Sequence, residues 1–160
     1  MQFVKALPED KQEILALYRS LAGTPYCAWT EDYPGEPEID GDLSRNALYC
    51  LKDDKGEILG TISLDDDEAV DSLPCWSKEL QPGAELSRLG VKVEYQNQGI
   101  AKCLFLQGMD VLREQGKKSV HVIVCQTNEK ALRAYAPLAL NNVGECELFG
   151  EKWWCFEKEL

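Results

Sequence analysis

The chain has 160 residues, the size of one domain able to bury a substantial core. Apolar residues make up 44% and charged residues 28%, which excludes a wholly disordered chain, and the longest apolar run, residues 134–140, is too short to span a membrane as a helix. Asp and Glu number 28 against 17 Lys and Arg, and the resulting charge of −11 disfavours nucleic-acid phosphates and anionic membranes as partners while tolerating cationic small molecules or basic peptides.

Residues 2–6 read as a strand. Pro8 fits the first turn of a helix, with Glu9 and Asp10 near its positive end, and Ile14, Leu15, Leu17, Tyr18 and Leu21 recur at helical spacing until Gly23. Residues 24–45 carry Pro25, Pro34, Pro37, Gly35 and Gly41, which predicts a long loop with one short helix near 39–45. Residues 47–52 and 57–64 are two strands of an antiparallel hairpin around Asp53-Asp54-Lys55-Gly56. Residues 65–83 are acidic and irregular. A strand over 84–93 follows, then a helix from Gly99 to about Gln115 closed by Gly116, and a β-branched strand over 119–125. Residues 128–139 are helical despite Pro137, and 143–149 with 152–158 make a last hairpin around Gly150. This order predicts a mixed α/β fold in one domain, residues 1–160, with a largely antiparallel sheet and helices on its faces. No internal repeat or linker marks a second domain.

Seven cysteines, an odd number, include no Cys-x-x-Cys, and the first ten residues lack the apolar core of a secretory signal. Reduced, mostly buried thiols in a cytoplasmic protein are expected. The single histidine, His121, lies on the same strand face as Cys125 but about 13 Å from it at strand spacing, so the two make no catalytic pair. His121 reads as structural. The acids at 65–68 and 71 lack the glycine and spacing of a calcium loop and read as a solvated turn; no metal is expected.

The segment richest in chemical meaning is Gln96-Asn97-Gln98-Gly99-Ile100-Ala101, between a strand and a helix. Small residues at 99 and 101 let backbone N–H groups approach an anion, and the helix start adds free donors and a positive dipole. Such a loop suits a pyrophosphate, yet it is neither a Walker loop nor a Gly-x-Gly-x-x-Gly fingerprint. A plain helix start with a permissive glycine is the other reading.

The run Val91-Lys92-Val93-Glu94-Tyr95-Gln96-Asn97-Gln98-Gly99-Ile100-Ala101 resembles the Val-x-Pro-x-Tyr-Arg/Gln-x-x-Gly-x-Gly/Ala signature of the GNAT superfamily of N-acetyltransferases. Asn128-Glu129-Lys130-Ala131-Leu132-Arg133-Ala134-Tyr135, followed by Leu138-Ala139-Leu140, resembles that family's Asn-x-x-Ala-x-x-x-Tyr and Leu-Gly-Phe turn at its usual separation. The clear resemblance covers residues 84–145. Val93 stands for the usual proline, Ala101 for glycine, and Ala139-Leu140 for Gly-Phe.

The resemblance implies a GNAT-like fold: a central, mostly antiparallel twisted sheet of about seven strands flanked by about four helices. It implies acetyl-CoA as cosubstrate, no metal, and direct attack by a primary amine in a ternary complex. Tyr135 would be the general acid that protonates the departing thiolate, or else an aromatic closing its helix against the sheet. Glu85 would be the general base, or an ordinary strand-end carboxylate. Backbone groups of Leu89, Gly90 and Val91 would pair with the pantetheine arm, the Val91 N–H meeting the thioester oxygen. Gln96, Asn97, Gln98, Gly99, Ile100, Ala101 and Lys102 would surround the pyrophosphate, with Lys102 adding charge or remaining a solvated helix lysine. Asn128 would bind the pantetheine, cap its helix, or both. Strand alternation puts Glu85, Ser87, Leu89, Val91 and Val93 on one side unless a bulge intervenes, as the family's strand usually carries. Six acids in 31–42, with Tyr26, Trp29 and Tyr33, suggest an acidic mouth favouring a cationic amine, or simply a solvated loop. The resemblance is also compatible with a homodimer. Its altered turn at 139–140 motivates a rival function, a non-catalytic acyl-CoA-binding or regulatory module of the same fold.

Overall fold

A computed structural model describes all 160 residues. Seven strands form one sheet in the order β1-β2-β3-β4-β5-β7-β6. They are β1 (Gln2–Lys5), β2 (Leu48–Lys52), β3 (Ile58–Asp65), β4 (Gly83–Val91), β5 (Ser119–Cys125), β6 (Asn141–Leu148) and β7 (Glu151–Glu159). Every neighbouring pair is antiparallel except β4 with β5. Five α-helices accompany them: α1 (Lys11–Leu21), α2 (Glu36–Ser44), α3 (Glu68–Asp71), α4 (Ile100–Glu114) and α5 (Glu129–Tyr135). The mixed α/β expectation holds, with one helix more than about four. No helix is long and apolar enough to cross a membrane.

Two apolar layers sandwich the sheet. On one face α4 buries Ile100, Leu104, Phe105, Met109 and Leu112 against Ile62, Leu86, Val91, Val120, Val122 and Val124. Each fully buried aliphatic or aromatic side chain of this layer contributes roughly 1.5–3 kcal/mol. Gly108 permits the close approach: a Cβ there would stand 3.1 Å from a Leu86 methyl. On the other face α1 lays Ile14, Leu15, Leu17, Tyr18 and Leu21 on Leu48, Cys50 and Ile58, with Ile39 of α2 completing the layer. Beside it, Val70 and Trp76 of the acidic segment cover Cys155 of β7.

Several boundaries differ from the sequence expectation for local reasons. Helix α2 begins at Glu36 rather than near 39, because the Glu38 carboxylate accepts the Gly35 N–H at 2.8 Å and Pro37 fits its first turn. The segment expected to be irregular contains α3, capped by Asp67, whose carboxylate accepts the Ala69 N–H at 2.9 Å. Strand β4 ends at Val91 rather than 93, and residues Val93–Tyr95 turn as a 3₁₀ helix.

The bulge in β4 is present. Thr61 pairs with Gly90 and Ser63 with Ser87, so one β3 residue opposes both Arg88 and Leu89. Arg88 takes a left-handed φ of 45°. Ser87 and Arg88 therefore share the α1/α2 face with Glu85, both bonding to the Asp65 carboxylate. Leu89 and Val91 instead pack with the α4 layer. The single-sided stripe from Glu85 to Val91 expected of an unbroken strand is thus divided at the bulge.

After α5, Pro137 does not kink the helix. The helix stops at Tyr135 and a 3₁₀ turn, Ala136–Leu138, accommodates the proline at its start. Ala139 then adopts φ 55°, ψ 42°, the left-handed geometry that glycine occupies without a Cβ penalty. Ala139→Gly should stabilise the protein by roughly 0.5–1 kcal/mol. A denaturant midpoint that is unchanged or lower would contradict that account.

Candidate active site

Strands β4 and β5 pair over only three positions: Gly83 with Ser119, Ala84 with Val120 and Glu85 with His121. Beyond Glu85 and His121 both strands continue, β4 to Val91 and β5 to Cys125, without pairing to each other. The sheet is therefore split by a wedge-shaped opening whose apex is the Glu85/His121 pair. Lys92 donates its N–H to the Leu59 carbonyl at 3.0 Å, on the β3 side. The alternation of an antiparallel pair then turns the main-chain groups of Val91 and Leu89 toward the opening. Consistent with this, the Gln96 side-chain amide donates to the Val91 carbonyl at 3.0 Å. Gly90 differs from its neighbours: its carbonyl lies against Gly60 of β3, and its Cα faces Leu21 and Trp29.

At the mouth of the opening the chain passes from β4 into α4. The six consecutive amides of Asn97, Gln98, Gly99, Ile100, Ala101 and Lys102 find no acceptor within the protein; the first satisfied donor is Cys103, bonded to the Gly99 carbonyl at 3.0 Å. Asn97 (φ 62°) and Gly99 (φ 81°) supply the left-handed turns that gather these donors. A Cβ at Gly99 would meet nothing within 4 Å, so the space in front of the loop is open. The loop is braced at its start, where Gln96 also accepts a hydrogen bond from Lys130 of α5 across the opening. Gln98 donates to the Glu94 carbonyl at 3.3 Å. Lys102 is exposed. A row of free N–H groups at a helix start favours negative charge in front of it.

Helix α5 brings two further candidates to the β5 side. The Asn128 carboxamide accepts the Ala131 N–H at 3.0 Å, which makes it the helix cap and leaves its NH₂ group uncommitted. The Tyr135 ring packs on Phe105 with centroids 5.2 Å apart. Burial pushes its phenol above the ordinary range, so it holds its proton at neutral pH.

Glu85 sits on the opposite sheet face and is 4% exposed. Burial foremost, then the negative charges of Asp65, Asp71 and Asp67, push its carboxyl up to about 9, against the opposing pull of Arg88. Its Oε1 is sealed from solvent and has no partner. The desolvated, like-charged surroundings are those that turn a weak carboxylate base into a stronger one.

Sequence reasoning missed the device that sets the bulge beside it. The Arg88 guanidinium forks onto Asp42 at 2.8 and 3.0 Å and reaches Asp65 at 3.0 Å, while Ser63 donates to Asp42 at 2.6 Å. These bonds join α2, β3 and β4 and offset the roughly 1–2 kcal/mol of left-handed strain at Arg88. The available signal was a lone charged residue, Arg88, inside the run Leu86–Val91. The acids of residues 31–42 are divided: Asp42 is buried in this network, Glu38 caps α2, Glu36 and Asp40 pair with Lys11, and Glu31 and Asp32 are exposed. Trp29 leaves the loop to pack on Tyr18 and over Gly90, whereas Tyr26 and Tyr33 are largely exposed.

The sheet split between parallel strands β4 and β5, with free amides of a helix start at its mouth, defines the site, and sequence comparison gives the class of the protein. Residues 14–139 match the acetyltransferase (GNAT) family, and the chain belongs to it. An uncharacterized N-acetyltransferase in the pepI 3′ region of Lactobacillus delbrueckii subsp. lactis is 30% identical over 157 residues, 91% of this chain and 87% of that protein. Solved structures share the fold at lower identity. An acetyltransferase of the GNAT family from Listeria monocytogenes has a TM-score of 0.78 at 16% identity, over 99% of this chain and 94% of that one. A ribosomal-protein-alanine N-acetyltransferase from Brucella melitensis has a TM-score of 0.76 at 16% identity over the whole of both chains.

Proposed function

We propose that this GNAT acetyltransferase moves an acetyl group from acetyl-CoA to a primary amine of a small molecule or peptide, by direct attack in a ternary complex. The observation that carries the reading is the row of six unsatisfied amides, Asn97 to Lys102, at the mouth of an opening that narrows to Glu85. Those donors suit a diphosphate, and the main-chain groups of Leu89 and Val91 suit an extended pantetheine lying along β4 like an added strand. Acetyl-CoA supplies an activated acyl carbon. Glu85 takes a proton from the acceptor ammonium, freeing the lone pair that attacks. The Val91 N–H donates to the carbonyl oxygen as negative charge gathers there. Tyr135, neutral and sharing the α4 face with Val91, gives its proton to the leaving sulfur and regains one from water. Asn128 orients the pantetheine through its free NH₂.

The acceptor end is the α1/α2 face, where Glu85 lies among Asp65, Asp67 and Asp71. This concentration of carboxylates favours an amine carrying further positive charge. The rival reading, a binding module without turnover, drew on the altered turn at Ala139-Leu140; the left-handed geometry kept at Ala139 weakens that ground. A thiol-release assay with acetyl-CoA and a panel of polyamines, lysyl peptides, alanyl peptides and neutral amines tests the proposal. Turnover is expected on at least one amine, and Tyr135→Phe should lower kcat about 10–100-fold with acetyl-CoA affinity unchanged. Tight CoA binding without turnover on any amine would favour the rival, and a wild-type kcat for Tyr135→Phe would remove its acid role.

A further inference from the structure

The ladder between β3 and β4 decides which main-chain groups of β4 face the opening. Leu64 gives its N–H to the Ala47 carbonyl at 2.8 Å, on the β2 side. Its neighbours Ser63 and Asp65 therefore turn their main-chain groups toward β4, where their register partners are Ser87 and Glu85. Carried on without interruption, that alternation would assign Leu89 and Val91 to β3 as well. The extra residue at Arg88–Leu89 shifts the count by one: Thr61 pairs with Gly90 and Gly60 with Val91. Gly90 and Lys92 then face β3, and Leu89 and Val91 are released to the opening. Straightening the strand at Arg88 would spend the Val91 N–H on β3.

The bulge is not self-sustaining in an arginine. Its φ of 45° crowds a Cβ, which glycine would not carry. What holds it comes from outside the bent strand. Arg88 donates to Asp42 of α2 through Nε at 3.2 Å and Nη2 at 2.8 and 3.0 Å, and to Asp65 of β3 through Nη1 at 3.0 Å. Asp42 is fixed in turn: Ser63 donates to it at 2.6 Å and Arg45 at 2.7 Å, while Arg45 also reaches the Leu64 carbonyl at 3.1 Å. The side chains of Arg88 and Asp42 are only 9% and 3% exposed, so these forked charge-assisted bonds are shielded from water. The cluster lies on the α1/α2 face, whereas Leu89 and Val91 pack with the α4 layer. It can act on the reaction only through the main chain of β4.

We propose that Arg88 and Asp42 are positioning residues for acetyl transfer: by clamping the left-handed bulge, they aim the Val91 N–H at the thioester oxygen. The inference rests on the reading of the Val91 N–H given above. It makes α2, which contributes no group to the opening, a determinant of kcat.

A hydrogen bond to the thioester oxygen weakens its C=O bond, so the carbonyl stretch of bound acetyl-CoA reports on Val91 without any acceptor. Isotope-edited infrared spectra of carbonyl-labelled acetyl-CoA on the full chain should show the stretch below its free position in wild type. It should return to the free position in Arg88→Ala and stay low in Arg88→Gly. Both variants delete the same ion pairs, but only glycine takes the left-handed φ without a Cβ penalty, so a role confined to stability would move the two alike. On an accepted amine, Arg88→Ala should lower kcat about 30-fold and Arg88→Gly less than about fivefold, with the KM of the amine within about twofold. Should Arg88→Ala fail to fold, Asp42→Asn, which keeps the shape and removes the charge, takes its place: its carbonyl shift should be lost and then restored by adding Arg88→Gly. A wild-type shift in the Arg88→Ala or Asp42→Asn protein, or an equal loss in Arg88→Ala and Arg88→Gly, would overturn the positioning role and leave the Val91 assignment standing. Bound acetyl-CoA with an unshifted carbonyl in wild type would overturn the Val91 assignment and the proposal with it.

Discussion

Glu85→Gln should give a protein that is more stable than wild type at pH 8 and about 100-fold less active. Both effects have one origin. Folding moves the carboxyl from an ordinary value in the unfolded chain up to about 9, so the folded state prefers the neutral form. Below the unfolded value both states are protonated and the group is neutral to stability. As the pH rises toward 9 the unfolded chain ionises while the folded one does not, and stability is lost progressively. At pH 7 that loss is on the order of 3–4 kcal/mol, and a glutamine escapes it. Urea melts of the two proteins should therefore diverge at pH 8 and converge near pH 4.5. Activity of the wild type should rise with pH to a limb near 9, since only the ionised base accepts a proton. Equal stabilities at pH 8 would mean that the carboxyl is not desolvated as the geometry indicates.

Gly99→Glu should weaken CoA binding by about 100-fold, or roughly 2.7 kcal/mol. The side chain would enter the open space before the free amides and place a negative charge where a diphosphate must sit. Gly99→Ala separates charge from strain. It meets no atom within 4 Å, so it forces only the left-handed backbone and should cost about 1 kcal/mol of stability and less than tenfold in affinity. Titration calorimetry with CoA on both variants measures the difference. Wild-type affinity in Gly99→Glu would show that the loop does not hold the diphosphate.

Much of the frame was legible because periodicity and punctuation are local. The buried stripe of α4 from Ile100 to Leu112, the β-branched strand β5 and Gly99 before its helix are all encoded within a few residues of where they act. What escaped depends on partners distant in sequence. Arg88 bends β4 because Asp42, 46 residues earlier, waits to receive it, and no feature of the strand alone reveals that. His121 reads as structural, but its partner Asp71, 50 residues away, and its register neighbour Glu85 are not visible from the strand alone. The acids of 65–71 read as a solvated turn because their spacing carries no ligand signature. In the fold, Asp65 and Asp71 are pointed inward by a neighbouring arginine and histidine.

The split between β4 and β5 bears on self-association. Unpaired strand edges invite another chain to dock, and sheets usually blunt them with charge, proline or cover. Here an unpaired edge lies in the interior of the sheet, recessed between β3/β4 on one side and β5/β7 on the other. A foreign strand would have to slide between two leaves of one sheet rather than dock on an outer edge. The molecule can thus leave a stretch of main chain unpaired without offering it as a seed for aggregation.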